Sequence, residues 1–181
     1  MITDLSEIRL GIVGLGYVGL PLALQFAKKK LNVIGFDLDQ DKINKLKRKS
    51  SYIKHISDQR IKETKNKTFF TNNFKFIQNV DIIILCLPTP LSPKLRPDLS
   101  YIKKTIKNIK KYLIKGQLLI LESSTYPGST KEIIGNNLKT KFIIGENFFL
   151  GYSPEREDPN NKNYNIENIP KICSGYSNKC L

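Results

Sequence analysis

The sequence predicts an α/β fold in which a mostly parallel sheet is covered by helices on both faces. Apolar runs of strand length alternate along the chain with amphipathic, lysine-faced segments of helix length. Such repeated strand–helix units require a parallel sheet with both faces covered. In addition, a glycine-rich turn joins the first apolar run to the first amphipathic segment. Together these features indicate a Rossmann-like, doubly wound architecture.

The predicted elements form four strand–helix units. These are 8–13 with 18–30, 32–37 with 40–49, 80–87 with 99–113, and 118–121 with 129–138. Two more strands are expected near 68–71 and 142–144, and the polar stretch 160–168 reads as a linker or a lid. We therefore expect one domain over 1–181, with a core at about 7–150 followed by a loop and a final strand.

The composition favours a globular protein with a basic surface. The net charge is +14, but only five of the 30 basic residues are Arg, the side chain best suited to bidentate phosphate contacts. Because no nucleic-acid-binding motif accompanies the charge, no nucleic-acid partner is expected.

The termini and cysteines point to a cytoplasmic protein. The first residues lack the apolar core of a signal peptide, and the longest apolar run, near 82–87, is far below the ~20 residues that span a bilayer. No membrane association is expected. Cys86, Cys173 and Cys180 form no CxxC pair, so we expect free thiols and no metal site.

A glycine-rich run follows the first predicted strand directly: Gly14-Leu15-Gly16-Tyr17-Val18-Gly19. In a dinucleotide-binding turn of this spacing, Gly14 permits the tight turn, Gly16 lets the backbone approach a pyrophosphate, and Gly19 lets the helix pack closely on the strand. The diphosphate then meets the positive N-terminal end of the helix. The alternative is a glycine-rich turn that binds no cofactor.

The second predicted strand ends at Asp37, about 20 residues beyond the turn. A carboxylate at this place binds the adenosine ribose hydroxyls and repels the 2′-phosphate of NADP. The expected cofactor is therefore NAD. Alternatively, Asp37 is only the N-cap of the following helix.

Two further polar motifs follow apolar runs, at 122–128 and 152–156. Thr125 is either a functional hydroxyl or part of a cap before the Pro-Gly turn, where Ser129 could serve as the N-cap. Glu155 and Arg156 are either site groups or an exposed loop pair. His55, the only histidine, is expected at the surface.

Four ordered motifs resemble the UDP-glucose/GDP-mannose dehydrogenase family. They are Gly-Leu-Gly-Tyr-Val-Gly-Leu-Pro at 14–21, Leu-Pro-Thr-Pro at 87–90, Glu-Ser-Ser-Thr-Tyr-Pro-Gly at 122–128 and Tyr-Ser-Pro-Glu-Arg at 152–156. The runs at 51–56 and 97–101 look more like the bacterial branch that oxidises UDP-N-acetylhexosamines. The resemblance implies oxidation of a sugar C6 hydroxymethyl to a carboxylate with two NAD, through an aldehyde and a cysteine-bound thioester.

The resemblance also implies roles for individual residues. Thr125 would position a water or the reacting oxygen, Glu155 would assist thioester hydrolysis, and Arg156 would lie near the UDP-sugar. Asp37 would take the ribose, with Lys42 nearby. The residues that would hold NAD are Gly14, Gly16, Tyr17, Val18, Gly19, Asp37, Lys42, Leu87, Pro88, Thr89, Pro90, Ser124 and Thr125.

The family's nucleophilic cysteine lies in a glycine-rich segment that has no counterpart in this chain. We therefore expect an NAD-binding domain without the central and C-terminal UDP-sugar domains, inactive by itself, and a homodimer only for a longer protein. Two alternatives stay open. One is a stand-alone NAD-binding or redox-sensing module, and the other is a hydroxyacid dehydrogenase.

Overall fold

The computed structural model describes residues 7–93, 95–155 and 170–181. Arg156 and the polar stretch 160–168 lie outside these ranges. The described residues build a seven-stranded sheet with the spatial order β3-β2-β1-β4-β5-β6-β7. The strands are β1 (Arg9–Val13), β2 (Asn32–Phe36), β3 (Thr68–Thr71), β4 (Ile82–Leu85), β5 (Leu118–Glu122), β6 (Phe149–Ser153) and β7 (Ser174–Gly175).

The first six strands are parallel, and the short β7 pairs with β6 in the antiparallel sense. This confirms the predicted mostly parallel, Rossmann-like sheet. Strands β1 and β4 are neighbours although two other strands lie between them in the chain. The strand order therefore reverses between β1 and β4, and a crevice is expected at their carboxyl ends.

Helices cover both faces of the sheet. They are α1 (Gly19–Lys28), α2 (Gln40–Lys47), α3 (Asp58–Glu63), α4 (Ser100–Ile109) and α5 (Asn136–Leu138). Short 3₁₀ turns occupy Phe74–Asn79 and Lys110–Tyr112, and a π turn at Thr130–Gly135 leads directly into α5. The helix α3 was not predicted; it is six residues long, and Ser57 caps its N-terminus.

The sheet separates two hydrophobic cores. Successive residues of a strand point to opposite faces, so Ile12 packs in the core under α1, α2 and α3 while Val13 packs in the core under α4. Strand β4 divides in the same way, with Ile83 and Leu85 on one side and Ile84 on the other. This alternation in a continuous apolar run is what a strand buried on both faces requires.

The strand predicted near 142–144 is wrong: the corresponding strand is β6, at Phe149–Ser153. Residues 142–147 instead form a turn, in which Gly145 has a φ of +86° and its N–H donates to the carbonyl of Phe148. Phe142 stacks on Phe148 with ring centroids 4.5 Å apart, while Ile143 is 57% exposed. The apolar run at 142–144 thus reflects packing of the turn against the core rather than strand pairing.

Candidate functional site

A cleft of about 550 Å³ opens at the carboxyl ends of the parallel strands. It begins beside the turn after β1 and runs across β4 and β5 to the residues that follow β6. Its lining residues are Val13, Gly14, Gly16, Tyr17, Val18, Phe36, Asp37, Leu38, Lys42, Phe74, Cys86, Leu87, Pro88, Thr89, Tyr101, Thr105, Glu122, Ser123, Ser124 and Glu155.

The three glycines of the turn meet different surroundings. Gly14 has a φ of +93°, and a Cβ there would lie 2.3 Å from the carbonyl oxygen of Cys86. A Cβ on Gly19 would lie 1.8 Å from the carbonyl oxygen of Gly14. A Cβ on Gly16, by contrast, would meet no described atom within 4 Å. Gly14 and Gly19 are thus required by the backbone itself, and Gly16 leaves open space in the cleft.

Asp37 lies just after β2, at one end of the cleft, which we call the β2 end. Its Oδ2 accepts from the backbone N–H of Leu15 at 2.9 Å and from Lys42 Nζ at 3.3 Å, and its Oδ1 accepts from the N–H of Asp39 at 3.0 Å. The N-cap of α2 is Asp39, whose side chain accepts from the N–H groups of Asp41 and Lys42. Asp37 is therefore not the helix cap, and its carboxylate is fixed beside the glycine-rich turn.

Sequence reasoning missed Tyr52, which also contacts this turn. Its hydroxyl donates to the carbonyl oxygen of Leu15 at 2.5 Å, and Lys42 Nζ lies 5.9 Å from its ring centroid. Burial raises the pKa of Tyr52, and the nearby carboxylates of Asp37 and Asp39 raise it further. The motif at 51–56 thus packs on the turn at 14–19, a contact that the sequence of the motif alone does not indicate.

His55 is exposed, as expected, and its ring stacks on that of Tyr17 with centroids 6.0 Å apart. Tyr17 is itself 63% exposed and lines the cleft. The segment 51–56 therefore contacts the glycine-rich turn both through a hydrogen bond and through a ring pair.

The loops that follow β4 and β5 are tied together by two side-chain hydrogen bonds. Thr89 Oγ1 donates to the carbonyl oxygen of Ser124 at 2.7 Å, and Ser123 Oγ donates to that of Leu87 at 2.8 Å. Leu87, Pro88, Thr89 and Ser124 line the cleft. Pro90 is exposed and lies one residue beyond the described lining residues.

Thr125 lies in a second cavity, of about 530 Å³, which borders the β5–β6–β7 edge. Its neighbours there include Ser129, Tyr152 and Tyr176. Thr125 Oγ1 is buried and has no hydrogen-bond partner within the described ranges. Ser129 precedes the π turn but makes no side-chain cap bond. Thr125 and Ser124 are adjacent in the chain but line different cavities. Ser124 lines the cleft, and Thr125 lines the second cavity.

Two carboxylates line the opposite end of the cleft, which we call the β5–β6 end, and a lysine that is not itself a lining residue contacts both. Glu122 ends β5, and its side chain is only 5% exposed. Lys171 Nζ donates a hydrogen bond to Glu122 Oε1 and lies 3.9 Å from Glu155 Oε2. Burial acts to lower the pKa of Lys171, but the hydrogen bond to Glu122 and the charges of both carboxylates outweigh burial and raise it.

This cluster was only partly foreseeable. Glu155 was predicted as a site residue, whereas Glu122 was noted within a motif without a role and Lys171 was not singled out. No local spacing reveals the pair, because Glu122 and Lys171 are 49 positions apart. A buried carboxylate at the end of a central strand was the available signal, since it requires a partner.

The cysteines do not supply a nucleophile in the cleft. Cys86 directly follows β4 and is buried, and burial raises the pKa of its thiol, with the charges of Glu122 and Glu155 adding to the effect. A thiol with a raised pKa stays protonated and is a poor nucleophile. Cys173 is exposed and Cys180 is buried outside the cleft.

Within residues 7–93, 95–155 and 170–181, none of the helices is long and apolar enough to cross a bilayer. The same ranges contain no group of three His, Cys, Asp or Glu side chains that could hold a metal ion.

Residues 8–180 match the description "UDP-glucose/GDP-mannose dehydrogenase family, NAD binding domain". The chain belongs to this family. A UDP-N-acetyl-D-glucosamine 6-dehydrogenase of Pseudomonas aeruginosa is 38% identical over 174 residues, which cover 94% of this chain and 40% of that protein. A UDP-N-acetyl-D-mannosamine dehydrogenase of Pyrococcus horikoshii is 32% identical, over 94% of this chain and 42% of its own length.

Solved structures of nucleotide-sugar dehydrogenases share the fold. The NDP-N-acetyl-D-galactosaminuronic acid dehydrogenase from Methanosarcina mazei Go1 aligns with a TM-score of 0.85 at 30% identity, over 96% of this chain and 40% of the other. The chain thus spans about two fifths of the relatives it matches. The family and the NAD cofactor, both predicted from the motifs, are confirmed.

Proposed function

We propose that this chain is the NAD-binding portion of a nucleotide-sugar 6-dehydrogenase that oxidises the C6 hydroxymethyl of a UDP-N-acetylhexosamine to a carboxylate with two NAD. The observation that carries the proposal is a single cleft with a glycine-rich turn and Asp37 at one end and Glu155 at the other. Two relatives support the substrate class, since one is a UDP-N-acetyl-D-glucosamine 6-dehydrogenase and the other a UDP-N-acetyl-D-mannosamine dehydrogenase.

The cleft fits a dinucleotide at its β2 end. The open side of Gly16 leaves room for a pyrophosphate, which the backbone N–H groups of Tyr17 and Val18 at the start of α1 would hold. An ionised carboxylate offers about four acceptor positions, and the contacts of Asp37 use three of them. The remaining position would accept from a ribose hydroxyl. When bound, NAD supplies the hydride acceptor.

The β5–β6 end would serve the sugar. Glu155 would act as a base, or orient water, when the acid is released, and Arg156 would contact the substrate. Thr125 would act from the second cavity, where its buried hydroxyl has a free hydrogen-bonding capacity among the described residues. A UDP-sugar is then the second partner. The homodimer of a longer protein and the cytoplasmic location stay predictions.

Cofactor selectivity tests the assignment of the β2 end. We expect the 181-residue chain to bind NAD more tightly than NADP, because Asp37 accepts from ribose hydroxyls but repels a 2′-phosphate. Calorimetric titration with each dinucleotide measures the difference. Equal or tighter binding of NADP would contradict the role of Asp37.

Turnover tests the rest of the proposal. Purified chain with saturating NAD and UDP-N-acetylglucosamine or UDP-N-acetylgalactosamine should form no sustained NADH, since none of its cysteines lies in a nucleophile motif and Cys86 is held protonated. Absorbance at the NADH band follows the reaction. Formation of two NADH per sugar over many turnovers, persisting in the Cys173→Ser/Cys180→Ser double variant, would refute the expectation that this chain lacks the catalytic nucleophile.

A further inference from the structure

The ion pairs at the two ends of the cleft are composed differently. At the β2 end, Asp37 and Lys42 form an ion pair, which leaves that pair neutral. At the β5–β6 end, Lys171 contacts two carboxylates, Glu122 and Glu155, and the cluster carries one net negative charge when all three groups are ionised. All three are largely withdrawn from solvent, with side chains 25%, 5% and 15% exposed for Lys171, Glu122 and Glu155. Charges so placed are weakly screened.

The sheet geometry separates the two ends of the cleft by a distance that a bound dinucleotide can span. Asp37 follows β2, Glu122 ends β5 and Glu155 follows β6. Three to four inter-strand steps of about 4.8 Å therefore put roughly 14–19 Å between them. A dinucleotide whose pyrophosphate sits at α1 and whose adenosine ribose meets Asp37 has its other nucleoside on the β4–β6 side of the strand reversal.

We propose that Lys171 is a charge-balancing residue that sets how strongly the cleft prefers the oxidised over the reduced cofactor. This inference rests on the proposed function, because a dinucleotide whose adenosine ribose meets Asp37 directs its nicotinamide toward the β5–β6 end, where the sugar would also bind. The nicotinamide ring carries a positive charge in NAD⁺ and none in NADH, whereas the rest of the two molecules is identical. A net charge at this end therefore acts on the difference between the two affinities.

Lys171 offsets one of the two negative charges, so it limits the preference for NAD⁺. Without Lys171, Glu122 and Glu155 would attract the oxidised ring more strongly. With Lys171, the attraction for the oxidised ring is weaker, whereas the affinity for NADH, whose ring is uncharged, stays the same. Because a weaker preference for NAD⁺ over NADH makes hydride transfer to the bound cofactor more favourable, this balance suits a domain that takes up two hydrides in succession.

Four variants of the 181-residue chain test the inference. The measured quantity is the ratio of the dissociation constant of NADH to that of NAD⁺, from calorimetry at pH 8.5, well above the ordinary carboxyl range. Lys171→Met should raise this ratio about 3- to 10-fold, and Glu122→Gln should lower it by a similar factor. The Lys171→Met/Glu122→Gln double variant, which restores one net negative charge, should return close to the parent ratio. Lys171→Arg, which keeps the charge, should also match the parent.

Two controls separate this effect from general damage. Lys42→Met removes a lysine at the β2 end, so it should change both affinities together and leave their ratio unmoved. ADP-ribose lacks the nicotinamide, and its affinity should be the same for the parent and for Lys171→Met. Circular dichroism and thermal melting confirm that each variant is folded.

The outcomes distinguish the inference from the function on which it rests. If folded parent chain binds neither NAD⁺ nor NADH, the proposed function fails. If the parent binds both and folded Lys171→Met and Glu122→Gln keep the parent ratio, the cofactor site stands and the role of Lys171 is overturned. Equal loss of NAD⁺, NADH and ADP-ribose affinity in Lys171→Met would show that Lys171 only maintains the shape of the cleft.

Discussion

The two ends of the cleft are built in different ways. The β2 end comes from one short stretch of chain, in which the turn at 14–19, Asp37 and Lys42 lie within thirty positions and contact one another directly. The β5–β6 end gathers Glu122, Glu155 and Lys171 from three separate segments. The first end is a local motif held by backbone geometry, and the second is a long-range cluster held by charge.

Backbone geometry therefore determines the effect of a substitution at the β2 end, and electrostatics determines it at the β5–β6 end. At the β2 end, a wrong side chain collides with the main chain or blocks the ligand. At the β5–β6 end, a wrong side chain leaves a buried charge without its partner. The largest effects are therefore expected from the glycines, smaller ones from Asp37, and the smallest from the hydroxyl of Tyr52.

The glycine-rich turn offers a paired test of shape. Gly19→Val should lower the free energy of unfolding by roughly 3 kcal/mol or more, because its Cβ would lie 1.8 Å from the Gly14 carbonyl oxygen and neither backbone can yield cheaply. Gly16→Val should stay within about 1 kcal/mol of the parent, since no described atom lies within 4 Å of its Cβ. It should nevertheless lose NAD binding. Urea denaturation and calorimetry measure the two effects.

The opposite pattern would dissolve the distinction between the two glycines. A Gly19→Val chain as stable as the parent would show that the helix start is free to move. A Gly16→Val chain that binds NAD normally would show that the pyrophosphate does not occupy the open space beside Gly16.

Asp37 tests how much a single charge contributes at the β2 end. Asp37→Asn should weaken NAD binding about 10-fold and narrow the preference for NAD over NADP, because the amide no longer repels a 2′-phosphate. Asp39→Asn is the matched control. It removes a carboxylate two residues away, and Asn serves equally well as the N-cap of α2.

Calorimetry of both variants with NAD and NADP decides the point. The selectivity of Asp39→Asn should stay close to that of the parent. If Asp37→Asn and Asp39→Asn lose selectivity equally, the negative potential of the whole loop, and not the Asp37 carboxylate, discriminates between the cofactors.

The local end of the cleft was largely predictable from the sequence, for a physical reason. The glycine spacing and the carboxylate after the second strand follow from the dimensions of one strand–turn–helix unit, so Gly14, Gly16, Gly19 and Asp37 could be placed without knowing the rest of the fold. The first five strands were predictable too, because a strand buried on both faces appears as an apolar run.

The remainder depended on tertiary contacts that no local pattern contains. Strand β6 includes Gly151, so its sequence is less apolar than the run at 142–144. The run at 142–144 was therefore predicted to be the strand, although it forms a turn. Lys171 became visible only when the sheet brought it to Glu122. Thr125 was expected to contact NAD together with Ser124, but the chain direction after β5 places its side chain in the second cavity.

Replacing Tyr52 should have the smallest of the expected effects. Its hydroxyl both hydrogen-bonds the backbone of the turn and lies near the carboxylates of Asp37 and Asp39. Tyr52→Phe removes one hydrogen bond to the Leu15 carbonyl oxygen, which should cost about 0.5–1.5 kcal/mol of stability and a few-fold in NAD affinity, because the turn is held less firmly. Tyr112→Phe is the matched control, since it removes the same hydroxyl on the other face of the sheet.

The alkaline stability of the same two variants gives a second, independent measurement. Burial and the nearby Asp37 and Asp39 raise the pKa of Tyr52 in the folded chain above that of an unfolded tyrosine, which is about 10. The folded state then binds its proton more tightly than the unfolded state does, so the contribution of Tyr52 is fully present below about pH 10 and is lost as the pH rises further. Urea midpoints followed from pH 8 to 11 should therefore fall less steeply in Tyr52→Phe than in the parent or in Tyr112→Phe. Identical slopes in all three chains would mean that the Tyr52 hydroxyl is not held in a buried, negatively charged environment beside the turn.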